Sequence, residues 1–237
     1  MPRSERSQRV EAIILRHSNW GEADRLLVLY TLEKGKVRAI AKGIRRVHSR
    51  KAGHLEPFTR STLQLAMGRD FWLVTQADTL AFYPSLTDDL LRTGYAAYVI
   101  ELVDRFAVEE GQNYALFTLL ADTLQRIAEE PDPFLAVRYS EIQMLEQFGF
   151  RPELFHCVHC NEVIQAQDQF FSAELGGVLC PNCGLSVTGC RPVSMDALRY
   201  MRHLQRSSYL TAKKADIPPS IRTEMETILQ YYITYIL

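Results

Sequence analysis

The 237-residue sequence predicts an α+β multidomain protein, with a small five-stranded barrel first and an α-helical domain after it. Three observations carry that reading. Residues 1–83 hold short apolar or alternating runs broken by turn signals, and after Pro84 the apolar residues recur at helical spacing. Two Cys-x-x-Cys pairs then stand inside a segment of different texture between Gly149 and Pro192. The boundaries read from texture are 1–83 for the barrel, 84–150 and 193–237 for two parts of a helical domain, and 151–192 for the insert.

The first strand is expected over residues 10–15, followed by the polar turn Ser18-Asn19-Trp20-Gly21-Glu22. Residues 26–29 form a second apolar run, closed by Glu33-Lys34-Gly35-Lys36, a hairpin turn. The third covers residues 37–41 and alternates, so Val37, Ala39 and Ala41 share one face and Lys36, Arg38, Ile40 and Lys42 the other. Leu63, Leu65 and Met67 alternate in the fourth, and Gly68-Arg69-Asp70 turns the chain into a fifth over residues 71–75. Five short strands without intervening helices favour a closed barrel or strongly curled sheet over a βαβ layer. Only the connection between the third and fourth strands is long, and long connections in a small domain are usually functional or disordered.

That connection continues a basic stretch. Residues 34–51 contain Lys34, Lys36, Arg38, Lys42, Arg45, Arg46, Arg50 and Lys51 and no Asp or Glu. A strand that packs through one face and is basic on the other can hold a polyanion without giving up its core. The overall net charge of −1 hides this, because residues 1–80 carry 15 Lys and Arg against 8 Asp and Glu, while the remainder carries 12 against 20. The eight cations are therefore the candidate nucleic-acid surface. Trp20, Tyr30, Phe58, Phe71 and Trp72 are candidates for stacking bases or for core packing alike.

Helices are expected from Thr87, with Asp88 and Asp89 at its start, from Asn113, and after Pro131-Asp132-Pro133. Their apolar stripes are Leu91, Tyr95, Tyr98, Leu102 and Phe106; then Leu116, Leu120, Leu124 and Ile127; then Leu135, Tyr139, Ile142 and Leu145. Two more follow, from Ser194 with Met195, Leu198, Met201 and Leu204, and after Pro218-Pro219 with Met225, Ile228, Leu229, Tyr232 and Ile236. All five read as the core of a helical bundle.

In the insert, Cys157-x-x-Cys160 and Cys180-x-x-Cys183 are separated by 19 residues, the spacing of a four-thiolate zinc ribbon. Four protein ligands leave no position for water or substrate, so one structural Zn²⁺ is expected. Phe170 and Phe171, a Gly176-Gly177 turn, and Val178 and Leu179 read as a hairpin between the pairs, so neither pair is expected at the start of a helix. His156 and His159 could replace a cysteine as ligand, and Cys190 reads as a packed thiol.

No P-loop, dinucleotide-binding glycine pattern, nucleophile elbow or HExxH is present, and the carboxylate pairs Asp88-Asp89, Glu109-Glu110 and Glu129-Glu130 sit at expected helix ends. A non-enzymatic protein without small-molecule substrate is expected; a nuclease with scattered carboxylates is the remote alternative. The N-terminus lacks an apolar core segment and no 18-residue apolar window occurs, so neither secretion nor a membrane partner is expected. Paired cysteines that bind metal suit a reducing, cytoplasmic compartment.

Within the barrel segment, Gly21-Glu22-Ala23-Asp24-Arg25, Thr31-Leu32-Glu33-Lys34-Gly35-Lys36, Ala41-Lys42-Gly43-Ile44-Arg45-Arg46 and Leu55-Glu56-Pro57-Phe58 follow one another in this order. Together with the order of parts, these segments resemble the RecO family of bacterial recombination mediators. The resemblance extends through the cysteine insert to the end of the chain. It implies an OB-fold N-terminal domain that binds single- and double-stranded DNA and anneals strands. It further implies recombinase loading onto DNA coated with single-strand-binding protein, a complex with RecR, and capture of the C-terminal tail of single-strand-binding protein by the helical domain. Arg92, Arg105, Arg126, Arg138, Arg199 and Arg202 are dispersed helix cations from which such a pocket could draw. The rival reading is a zinc-ribbon adaptor that binds RNA or protein in transcription or translation.

Overall fold

One long strand organises the barrel. The computed structural model describes residues 7–109 and 111–237, and in it β1 (Ser7–Trp20) pairs along its first half with β4 (Arg60–Met67) and along its second half with β2 (Asp24–Thr31), both antiparallel. It serves both because its register shifts between Ile14 and Arg16, and such a bulge bends a strand and sharpens its twist. Strand β3 (Gly35–Ala41) pairs with β2, and β5 (Trp72–Ala81) pairs with β4. A short parallel contact of Ala39 with Trp72 and Ile40 with Leu73 closes the order β1-β2-β3-β5-β4. This five-stranded closed barrel, with β3 beside β5, is an OB-fold.

Alternation decides what fills it. Val37, Ala39 and Ala41 are buried, as expected, with Val10, Ala12, Ile14, Leu27, Leu29, Leu63 and Leu65. Each fully buried branched side chain contributes about 1.5–3 kcal/mol relative to exposure. Ile44 and Leu55, at the two ends of the β3–β4 connection, are also in this cluster. The connection is therefore anchored to the core rather than hung outside it.

Contacts divide the chain into two units, Met1–Pro133 and Phe134–Leu237. The first adds α1 (Ser85–Asp88), α2 (Leu90–Phe106) and α3 (Tyr114–Glu129) to the barrel. Asp89 accepts from the backbone N–H groups of Leu91 and Arg92, and Asn113 from that of Leu116, so both long helices start on capping side chains worth about 1 kcal/mol each. On α3 the expected stripe is the buried one. On α2 it matches only at Leu102: Ala96, Val99, Ile100, Leu102 and Val103 are buried, while Leu91 is exposed. Apolar residues surround most of this helix, so period alone cannot pick the inner face, and the small Ala96 goes in where Tyr95 and Tyr98 stay half-buried.

In the second unit, α4 (Phe134–Gln147) is buried on nearly every side, including Arg138 and Glu141. It packs with α6 (Met195–Arg206) and α8 (Pro219–Ile236), with the single turn α7 (Tyr209–Ala212) between them. Ser194 caps α6 through the Ala197 N–H, and Pro219 opens α8, where its missing N–H costs nothing. The insert forms a small sheet ordered β7-β6-β8, from β6 (Gln169–Ser172), β7 (Gly177–Leu179) and β8 (Arg191–Val193), with the helical turn α5 (Pro181–Gly184). Strands β6 and β7 are the hairpin that the sequence displays; β8 and α5 carry no such signal. Among the described residues no helix is long and apolar enough to cross a membrane.

Candidate nucleic-acid interface and metal centre

The β3–β4 connection is pinned by the same motifs that carry the family resemblance. Asp24 accepts from the Gly43 N–H at 2.7 Å, and the Arg45 N–H donates to the Ala23 carbonyl at 2.9 Å. The Arg45 guanidinium reaches the Glu22 carbonyl at 3.2 Å, and Arg25 donates to Glu56 at 2.7 Å, with His17 also on Glu56. Gly43 takes φ +66°, a left-handed turn that glycine adopts without strain. Burial works against the Glu56 carboxylate, but hydrogen bonds from Arg25 and His17 hold its pKa below the usual range. The sequence displays the cations of this loop and conceals the acids that brace it.

The eight candidate cations fall into two groups. Lys42, Arg45, Arg46 and Arg50 are exposed, and none of them makes an ion pair among the described residues. The others are engaged. Lys36 pairs with Asp104 of α2 at 2.9 Å, and Arg38 with Glu109 at 2.7 Å. Lys51 donates to the Val74 carbonyl, its pKa lowered by burial, and Lys34 lies over the Trp72 ring at 4.9 Å. Asp104 also takes Arg16 at 2.6 Å; burial opposes its charge, yet these two partners hold its carboxyl below the ordinary value. Glu109 thus sits on the barrel rather than at a helix end, since α2 stops at Phe106. Its neighbour Glu110 lies outside the described residues.

A groove of about 350 Å³ opens beside β3, lined among others by Lys36, Arg38, Arg69, Phe71, Trp72 and Glu109. Trp20, 45 % exposed, meets Phe71 edge-on at 5.9 Å. Tyr30 goes the other way: it is buried and stacked on Phe117, with its hydroxyl pushed up to about 12 by burial. Phe58 is half-buried at φ +68°, an uncommon backbone for a bulky side chain, and its N–H is tied to the Ile14 carbonyl. Two of the five stacking candidates, Phe71 and Trp72, therefore line one groove, and a third, Trp20, packs against Phe71.

In the second unit, Cys157, Cys160, Cys180 and Cys183 bring their sulfurs within 4.8 Å of one another. The first pair bends through Asn161, at φ +61°. The second sits on α5 with Cys180 at its start, so this pair does occupy a helical turn, contrary to the expectation from the hairpin pattern. Gly184 carries no left-handed strain; a Cβ there would collide with the Phe170 ring. The sulfurs compete for protons: hydrogen bonding to Cys180 pushes the Cys183 thiol up to about 12. At Cys157 burial opposes ionisation, but backbone N–H groups of Cys160, Cys180 and His159 bring it down to about 6. One soft cation taking all four as thiolates ends that competition, and four sulfurs at this spacing fit a tetrahedral ion. Neither His156 nor His159 joins the cluster, and Cys190 points its thiol at the Gly184 and Val187 carbonyls.

The dispersed helix arginines are occupied locally. Arg92 donates to the Ile127 and Glu130 carbonyls and Arg202 to that of Leu154, while Arg105, Arg126 and Arg199 pair along their own helices. Arg138 is buried.

The barrel order and the cysteine cluster define an OB-fold protein joined to a helical unit that carries four cysteines placed to hold a metal ion. Residues 6–83 match the family model described as Recombination protein O N terminal, and residues 87–237 the one described as Recombination protein O C terminal. The DNA repair protein RecO of Roseiflexus sp. (strain RS-1) is 39 % identical over 98 % of this chain and 82 % of its own length. The DNA repair protein RecO of Dehalococcoides mccartyi (strain BAV1) is 34 % identical over 97 % of this chain and 90 % of its own. That of Desulforudis audaxviator is 38 % identical over 93 % and 88 %. The chain belongs to the RecO family.

Proposed function

We propose that this protein acts in DNA repair as a non-enzymatic recombination mediator. It binds DNA through the OB-fold, anneals complementary strands, and helps load recombinase onto DNA coated with single-strand-binding protein. Its partners are single- and double-stranded DNA, RecR and the C-terminal tail of single-strand-binding protein, and its compartment is the bacterial cytoplasm. One structural Zn²⁺ occupies the four-cysteine cage.

The observation that supports this most is the anchored loop with Lys42, Arg45, Arg46 and Arg50 exposed and without carboxylate partners among the described residues, on a barrel that also carries a groove lined by Phe71 and Trp72. Anchoring at Ile44 and Leu55 keeps the cations of the loop near the barrel, so less ordering entropy is lost when phosphates arrive. Cations that meet phosphates and read no bases neutralise two strands alike, which is the requirement for annealing. The cations Lys36 and Arg38 on β3 are already ion-paired inside the first unit, so the loop carries most of the free charge.

The double variant Arg45→Ala/Arg46→Ala tests this. Each lost phosphate contact reduces the slope of log affinity against log salt by about 0.7 for a single strand, so removal of two flattens it by about 1.4. Affinity for all oligonucleotide sequences falls together. Unchanged binding, or a loss confined to particular sequences, would remove the loop from the interface.

A further inference from the structure

We infer that Glu109 is an autoinhibitory residue of the groove, a carboxylate that holds Arg38 where a backbone phosphate would and that an entering strand must displace. The inference rests on the DNA-binding reading above.

Four observations combine. The Glu109 carboxylate meets the Arg38 guanidinium at 2.7 Å, with both side chains about half exposed at 54 % and 51 %. It therefore lies within reach of solvent and of a ligand. Second, its backbone is held to the barrel: Glu109 bridges to Lys36 in parallel, Gly111 lies so close to Gly35 that a Cβ there would collide, and Gln112 donates to the Leu32 carbonyl at 3.4 Å. The carboxylate is delivered by a backbone fastened to the edge of β3, not by chance from a free loop. Third, Glu109 and Arg38 both line the groove that contains Phe71 and Trp72, where a base would stack while its phosphate sought a cation. Fourth, an arginine binds carboxylate and phosphate oxygens with the same charge-assisted geometry, so one can replace the other without rebuilding the site. Glu109 thereby sets a threshold for occupancy of the groove, while the loop cations remain open to the first encounter.

A double-mutant cycle on oligothymidylate binding at low salt tests this, with thermal melting as the check on folding. Half-exposed ion pairs are worth little, so Glu109→Gln should tighten binding about two- to five-fold. In an Arg38→Gln background the same substitution should bring little or no gain, because the residue it restrained is gone. Glu101→Gln, at an exposed carboxylate paired with Arg105 on α2, should leave affinity unchanged. An equal gain in both backgrounds, or an equal gain from Glu101→Gln, would reduce Glu109 to one negative charge among others and overturn the inference. No gain in either background overturns it as well. Failure of the unsubstituted protein to bind the oligonucleotide would instead overturn the DNA-binding reading itself, and this inference with it.

Discussion

Removal of the Zn²⁺ proposed for the four-cysteine cage is expected to unfold the insert and lower the melting temperature of the second unit sharply. Structural zinc sites supply about 10–16 kcal/mol of apparent binding energy in small domains, which is comparable to the ~5–15 kcal/mol that keeps a whole domain folded. The insert has little else. Its three short strands bury Phe171, Val178, Leu179 and Val193, and Cys157 is itself part of that core at 1 % exposed. Phe171 meets Tyr232 of α8 edge-on at 5.4 Å, so collapse of the ribbon takes packing away from the helices of the same unit. Melting curves recorded before and after chelation, with metal content measured in both, check this. Added Zn²⁺ should restore the original transition. An unchanged melt after complete loss of metal would contradict a structural role.

The second large effect is expected at the Arg138 and Glu141 pair. Their side chains are 1 % and 0 % exposed, with Nε and Oε2 3.2 Å apart, and Arg138 also reaches Glu226 at 3.4 Å. Removal of one partner from a buried pair leaves an uncompensated charge and typically costs about 3–5 kcal/mol. Glu141→Leu should fall toward the lower end, because Glu226 still faces the guanidinium. For a unit of this size that corresponds to a drop of roughly 10 °C or more in melting temperature. Arg138→Met combined with Glu141→Leu should recover most of the loss, since a packed apolar pair carries no desolvation penalty. A double variant as unstable as the single one would mean that the pair is needed for more than charge balance.

Much of this architecture is local in origin, and local features are the ones a sequence displays. The alternation of Val37, Ala39 and Ala41, the capping residues Asn113 and Ser194, and the spacing of the four cysteines each depend on a few neighbouring positions. Each is legible in the order of residues alone. The features that the sequence conceals have the opposite character. Lys36 reads as a free cation because its partner Asp104 lies 68 positions away, on a helix whose inner face the periodicity does not identify. Lys51 reads as part of the same surface and instead bonds the Val74 carbonyl, 23 positions on. Strand β8 consists of Arg191, Pro192 and Val193, too short and too poor in alternation to announce itself, and exists only because β6 offers an edge. The roles of Asp24 and Glu56 are hidden for a related reason. An acid beside a basic segment reads as a neutral surface until its hydrogen-bond partner is known, and here the partners are the loop's own Gly43 and the β2 residue Arg25.

Strand annealing is the part of the proposed function on which the rest depends. The most direct measurement is the annealing rate of complementary single strands, bare and coated with single-strand-binding protein, across a salt series. Acceleration on both substrates is the predicted result. It should fade as salt rises, because the contacts are to phosphates. Binding without acceleration on either substrate would contradict the account and leave a DNA-binding OB-fold with a metal ribbon but no part in strand pairing.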